Sequence, residues 1–252
     1  MSKKIIAVVN QKGGVGKTTT AVNVAAALSI IGKKTLLVDF DPQGNASSSL
    51  GNSLADRSVT VYNLLTGNTT LEEILTKTNF ELLDLLPANV NLAALDIELQ
   101  SLRNREYIFK DKIANTDHEY VIIDCPPSLG MIAINALVAA TDILVPMQCE
   151  FLALEGLSHL LEIIKIIKAK FNPSLNIMGI LLTMYDKRNK LTELVEQDVR
   201  NCLGKLVFNT VIPRNVKLSE APSYGKPAII YDHRCSGSVA YMHLVKEILG
   251  SI

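Results

Sequence analysis

After the apolar run Ile5-Ile6-Ala7-Val8-Val9, the chain reads Lys12-Gly13-Gly14-Val15-Gly16-Lys17-Thr18-Thr19. Closely spaced glycines let a backbone take left-handed dihedrals and approach a ligand with no Cβ in the way. Backbone N–H groups at a helix start, a lysine and a hydroxyl together suit a polyphosphate carrying a divalent cation. The pattern for such a phosphate-binding loop is G-x-x-x-x-G-K-[ST]. Gly16, Lys17 and Thr18 match its end, but Gln11 stands where the first glycine belongs, and Lys12 adds a second cation. Lys17 is expected to reach the β- and γ-phosphates and Thr18 to set its hydroxyl on Mg²⁺, with Gly13, Gly14, Val15, Gly16 and Thr19 completing the cradle. A plain glycine turn does not account for the flanks. A buried-type strand precedes the loop, and Ala21, Val22, Val24, Ala25 and Leu28 follow at the spacing of an amphipathic helix.

Two further segments end in carboxylates. Leu36-Leu37-Val38-Asp39-Phe40-Asp41-Pro42-Gln43 reads as a buried strand with Asp39 and Asp41 on one face, because side chains alternate. Val121-Ile122-Ile123-Asp124 reads as another, whose carboxylate can hold Mg²⁺ directly or through water. Pro126-Pro127 and Gly130 then give a stiff turn suited to sensing a terminal phosphate. Each aspartate alone reads equally well as a strand-ending turn residue; with the loop, they form a nucleotide site.

These groups need a framework. Strands are expected near 4–9, 34–39, 81–86, 119–124, 142–147 and 176–183, and helices near 17–31, 91–103, 129–140, 153–170, 190–202 and 236–249. Residues 46–60 are the most loop-like stretch. The alternation predicts an α/β fold, a mostly parallel twisted sheet with helices on both faces and the ligand at the carboxyl ends of the strands. At 252 residues, 48% hydrophobic and 20% charged, the chain suits one domain spanning 1–252. Lys3-Lys4 is followed by too short an apolar run for a secretory signal, and no stretch reaches the roughly 18 apolar residues of a membrane span. Cys125, Cys149, Cys202 and Cys235 form no C-x-x-C pair, and a reduced cytoplasm fits best.

The loop, with Asp39-Phe40-Asp41-Pro42-Gln43-Gly44-Asn45 and Ile122-Ile123-Asp124-Cys125-Pro126-Pro127, resembles the ParA/MinD group of P-loop ATPases. Pro146-Met147-Gln148-Cys149-Glu150, Ala153-Leu154-Glu155-Gly156-Leu157, Ile212-Pro213-Arg214-Asn215 and Leu218-Ser219-Glu220-Ala221-Pro222-Ser223 are similar to its chromosomal ParA/Soj branch, so the resemblance runs over nearly the whole chain. It implies a P-loop NTPase that uses ATP and Mg²⁺, with the nucleotide sandwiched in a homodimer. Lys12 of one protomer would reach the phosphates held by the other, on the logic of an arginine finger. Asp41 would position the attacking water. Asp39 and Asp124 would belong to the magnesium shell, and Gly44 and Asn45 to the first switch region. Pro213 and Asn215 match the adenine side, and Met184 reads equally as a base contact or as core packing.

The net formal charge is zero, so bulk charge announces no nucleic acid partner. From Cys202 to Ile252 six basic residues face three acidic ones, which alone reads as solvated surface and acquires meaning if a dimer doubles it. Family resemblance implies non-specific double-stranded DNA binding here, through Arg188 and Lys217 and then Arg214, Lys226 and Lys246. It also implies a ParB-type partner that stimulates hydrolysis, a cytoplasmic, nucleoid-associated location, and a role in chromosome or plasmid segregation. A MinD-like membrane role needs a basic amphipathic tail, whereas His243 to Ile252 carries one lysine and one glutamate and reads as a core-packing helix. An iron–sulfur branch lacks suitably placed cysteines. A metabolic synthetase would need a substrate pocket where Lys12 and a partner protomer are expected. Loss of hydrolysis is disfavoured by intact Asp41. Only 11 residues precede Lys12, leaving no room for the helix-turn-helix of plasmid-type relatives.

Overall fold

The computed structural model describes residues 3–151 and 153–250, so residues 1, 2, 152, 251 and 252 of the expected domain lie outside it. The described residues form seven strands: β1 Lys4–Val8, β2 Thr35–Asp39, β3 Thr76–Lys77, β4 Leu83–Leu86, β5 Tyr120–Asp124, β6 Asp142–Gln148 and β7 Asn176–Thr183. They make one sheet in the order β3-β4-β2-β5-β1-β6-β7, parallel throughout except for β3 against β4. The expected fold class is the observed one. The six expected strands are all present, and β3, two residues long, is the one the sequence pattern does not reveal.

Alternate residues of each strand enter different cores. Ile6, Val8, Leu37, Ile122, Leu144 and Leu181 face the helix α1 (Lys17–Ile30) and the C-terminal helix Ser236–Ile248. Ala7, Val38, Val121, Ile123 and Val145 pack on the other face with Phe109, Leu137, Leu160 and Ile164. Coverage on both faces is why the strands read as continuous apolar runs. α1 differs from its expected amphipathic form. Every residue from Thr20 to Ser29 is buried, because the C-terminal helix covers the side that would otherwise meet water.

Two other segments depart from expectation. The helix expected over 91–103 is a chain of short turns, 3₁₀ over Val90–Ala94, α over Leu95–Glu98 and 3₁₀ over Leu99–Ser101. Its buried Leu92, Leu95 and Leu99 are spaced three and then four apart, which suits either helix type. The loop-like stretch after Asn45 contains a helix over Asn45–Ser49 and a 3₁₀ turn over Leu54–Asp56. Arg57 holds this stretch together. Its buried guanidinium donates to the Gly44 carbonyl at 3.0 Å, Ser48 Oγ at 2.7 Å and Asn52 Oδ1 at 3.1 Å.

Register sets the height of the site. Val8 and Asp39 both pair with Asp124, so the tips of β1, β2 and β5 lie level at the carboxyl edge of the sheet.

Candidate active site

The phosphate-binding loop leaves the tip of β1 and enters α1 through Gly14 at φ 75° and Gly16 at φ 87°, the left-handed region that favours glycine. Gly16 caps α1 with no side-chain hydrogen bond, and the first turn carries no acidic residue. The N–H groups and the positive end of the helix therefore face an anion position. Thr183 Oγ1, at the tip of β7, donates to the Val15 carbonyl at 2.8 Å and ties the loop across the sheet. Lys17 is 7% exposed, and its ammonium donates to the Lys12 carbonyl at 3.0 Å. Burial lowers its pKa, while the charges of Asp124 and Asp41 pull it back up.

Asp39 and Asp124 stand side by side and are fully buried, yet their surroundings differ. Asp39 Oδ2 accepts from Ser47 N at 2.8 Å and Ser47 Oγ at 2.7 Å, and its Oδ1 accepts from Asp41 N at 3.1 Å. Burial still pushes its carboxyl up to about 6, since the three hydrogen bonds only partly offset lost hydration. Neither oxygen of Asp124 has a hydrogen-bond partner. Its pKa is raised well above the carboxylate range, first by burial and then by Asp39, with the Thr18 hydroxyl and Lys17 acting the other way. A buried, unpartnered carboxylate beside a threonine hydroxyl fits a divalent cation, whose charge would offset the desolvation. Among the described residues no cluster of three or more histidine, cysteine or acidic side chains could hold a metal. Mg²⁺ at a phosphate site takes few protein ligands and relies on substrate oxygens, so Thr18 and Asp124 suffice as candidates.

Asp41 does not continue the strand as expected. β2 ends at Asp39, and the chain turns so that Asp39 accepts from the Asp41 N–H. Asp41 is half-buried at the rim, its Oδ1 accepting from Gln43 N at 2.9 Å. Gly44 follows at φ 65°, where an added Cβ would lie 2.1 Å from the Arg57 guanidinium. The sequence marks Gly44 and Asn45 but gives no sign of Arg57 or Ser47, which are ordinary polar residues until the fold buries them.

Lys12 points elsewhere than Lys17. Its side chain is 52% exposed, and its ammonium pairs with Glu150 beyond the tip of β6. Its backbone N–H donates to Asn10 Oδ1, while Asn10 Nδ2 donates to the Pro146 carbonyl at 2.7 Å, fixing the loop to β6. Glu150 and Asn10 carry no motif signal as partners of the loop.

On the other side of the loop, Gly16 and Thr19 share a cavity of about 200 Å³ with Met184, Pro213 and Asn215. Met184 is half-buried at φ 50° and lines this cavity. Of the basic candidates, Arg188 and Arg214 line one larger groove, whereas Lys226 borders a separate cavity of about 290 Å³ with Thr18, Thr19 and Asn45. Lys217 donates to Glu220 at 2.9 Å and lies over the Tyr231 ring at 5.6 Å. Lys246 is exposed on the C-terminal helix.

A lysine-bearing glycine loop on a central parallel strand, beside an aspartate at the next strand's tip, is the signature of P-loop nucleoside triphosphatases. A family model described as an AAA domain matches residues 3–177. The chromosome partitioning protein ParA of Caulobacter vibrioides is 47% identical over 250 residues, covering 98% of this chain and 94% of its own. The sporulation initiation inhibitor protein Soj of Bacillus subtilis is 49% identical over 247 residues, covering 97% and 98%. Among solved structures, cobyrinic acid a,c-diamide synthase from Mycobacterium smegmatis, with an ATP analog and magnesium, matches at TM-score 0.86 and 38% identity over 98% of this chain and 94% of that one. MinD from Pyrococcus horikoshii, complexed with Mg-ADP, matches at TM-score 0.80 and 27% identity, covering 98% and 96%. The chain belongs to the ParA/Soj family of P-loop partitioning ATPases. No helix among the described residues is long and apolar enough to cross a membrane.

Proposed function

We propose that this chain is an ATP-hydrolysing switch that dimerises on ATP, binds DNA without sequence preference as the dimer, and segregates a chromosome or plasmid with a ParB-type partner that stimulates hydrolysis. ATP is the nucleotide and Mg²⁺ the metal. The observation that carries the reading is the division of labour between the two lysines. Lys17 is buried in its own loop, while Lys12 keeps its ammonium at the rim, outside that loop, where a second protomer can approach.

Within one protomer, the N–H groups of Gly13 to Thr19 orient the phosphates and Lys17 offsets their charge. Thr18 and Asp124 would hold Mg²⁺, which supplies charge neutralisation between the phosphates. Asp39 fixes Ser47 and the Asp41 N–H, and so holds the first switch loop. Asp41, with one carboxylate oxygen directed to Gln43 and the other uncommitted among the described residues, orients the attacking water. Met184, Pro213 and Asn215 receive the base. Lys12 leaves Glu150 and crosses to the partner's phosphates, so that closure of the dimer completes both sites.

The test is Lys12→Ala. It is expected to bind nucleotide but elute as a monomer with ATP in size-exclusion chromatography; a stable ATP dimer overturns the trans-lysine role. Wild-type ATP turnover is expected to rise when random-sequence DNA and the ParB-type protein are both added. Turnover that depends instead on anionic vesicles, or on a small carboxylic acid substrate, would favour the MinD-like or the synthetase reading.

A further inference from the structure

The helix Met131–Ala139 starts from Gly130, which has no side chain to cap it, and its first turn carries no acidic residue. Such a start leaves backbone N–H donors open. One of them is taken by a residue far back in the chain: Met131 N donates to Asp96 Oδ1 at 2.6 Å. Asp96 Oδ2 lies over Gly130 so closely that an added Cβ there would be 2.5 Å from it. Gly130 sits at φ −74°, where alanine is at ease, so the carboxylate and not the backbone excludes a side chain. A carboxylate at a helix start is favoured by the dipole and makes a strong, charge-assisted bond. This cap closes the turn 126–130, which leaves the tip of β5 and which the sequence assigns to the terminal phosphate.

Asp96 rides on the segment 87–98, whose other bonds run to the loop after β2. Ala88 N donates at 3.2 Å to Ser47 Oγ, the hydroxyl that itself donates to Asp39. Arg57 Nη1 donates to the Ala88 carbonyl at 3.4 Å, and Asn89 Nδ2 donates to the Arg57 carbonyl at 3.2 Å. Val61 N donates to the Pro87 carbonyl at 2.9 Å, and the Tyr62 hydroxyl reaches both oxygens of Glu98 at 3.1 and 3.0 Å. Leu92 and Leu95, fully buried, anchor the segment in the core. One short stretch of turns thus grips the loop after β2 and, through Asp96, the turn after β5.

We propose that Asp96 is a positioning residue for ATP hydrolysis: by capping the helix Met131–Ala139 it fixes the turn 126–130 where a terminal phosphate meets it, in step with the loop that carries Asp41. The inference rests on reading that turn as the phosphate-sensing one, and adds the residue that holds it. Asp96 acts through the turn rather than on the nucleotide, so its loss slows the bound complex and leaves ATP binding in place.

The experiment measures steady-state phosphate release over a range of ATP concentrations, with thermal unfolding of each nucleotide-free variant alongside. Asp96→Ala is expected to lower kcat roughly tenfold, with KM for ATP within about twofold of wild type. Its melting temperature should fall by about 2–4 °C, the loss of one helix cap. Asp96→Asn keeps an acceptor in the same place and should stay within about threefold of the wild-type kcat. Gly130→Ala leaves Asp96 in the chain but drives its carboxylate off Met131, and should reproduce both losses. Because the two changes break one bond, the double variant should lose no more than either alone, in kcat and in melting temperature. Losses that add in the double variant overturn the bond. Melting losses that do not add, with kcat at the wild-type value, overturn the positioning role. The reading beneath it fails separately: wild-type amides of 126–130 that exchange equally fast with ADP and with a non-hydrolysable ATP analogue show a turn blind to the terminal phosphate, whatever Asp96 does.

Discussion

The tips of β2 and β5 carry the same side chain at the same height, both excluded from water, and are prepared for different tasks. Asp39 has three protein donors and Asp124 has none. A buried carboxylate with donors on both oxygens is a fastener for the segments that supply them, here the turn at Asp41 and the helix at Ser47. A buried carboxylate with neither oxygen satisfied sheds its charge either by holding a proton or by meeting a cation. Sequence position alone makes the two equivalent; the hydrogen bonds separate them into a residue that fastens the turn at Asp41 and the helix at Ser47 and one with no protein donor, the one to which the proposed function gives the metal.

The largest effect that tests this contrast is on turnover. Asp124→Asn is expected to lower Mg²⁺-dependent phosphate release by roughly 10²-fold or more while leaving the nucleotide-free protein at least as heat-stable, because a buried carboxyl without protein donors, raised in pKa by its burial and by Asp39, is gone. Wild-type turnover in that variant would erase the distinction. Asp39→Ala should act on stability instead, leaving the Ser47 and Asp41 donors without an acceptor at a cost of about 1–3 kcal/mol in urea unfolding. Gly44→Ala sharpens the same point from the backbone side. A left-handed φ and the crowding against Arg57 should cost about 1 kcal/mol or more, and an unchanged midpoint would mean that Arg57 yields freely. The smallest effect is on pH. Folding raises the Asp39 carboxyl from 3.8 to about 6, so between those values the native state binds more protons than the unfolded chain. Stability of the nucleotide-free protein should therefore fall as pH rises through that window, with Asp39→Asn flattening part of the decline in melting temperature.

The sheet and the loop were legible because their signals are local. Apolar runs such as Val121 to Ile123, short and ended by turn residues, read as strands covered on both faces, and Gly14 and Gly16 beside Lys17 mark a loop where left-handed backbone is available. What stayed hidden depends on distant partners. Nothing near Arg57 in the chain says that it will be buried against Gly44 and Ala88, or that Glu150, at 138 residues' separation, will take the Lys12 ammonium. Leu92, Leu95 and Leu99 repeat at a spacing that two helix types share, and the pattern could not choose between them. Resemblance marked Arg188 and Lys217 by position, but which cations lack a carboxylate is a property of side-chain geometry.

β1 runs between β5 and β6, with at least two strands on either side. Its amides are bonded inside the centre of the sheet, so they should exchange with deuterated solvent only when the whole domain unfolds. The stretch from Asn45 to Ile74, built of helical turns of three to five residues, should exchange through small local openings hours or days sooner. On that expectation the phosphate loop hangs from the part of the chain that opens last, while the turn at Asp41 and Gly44 leads into a part that opens early, so the two sides of one site would differ in lifetime by hours or more.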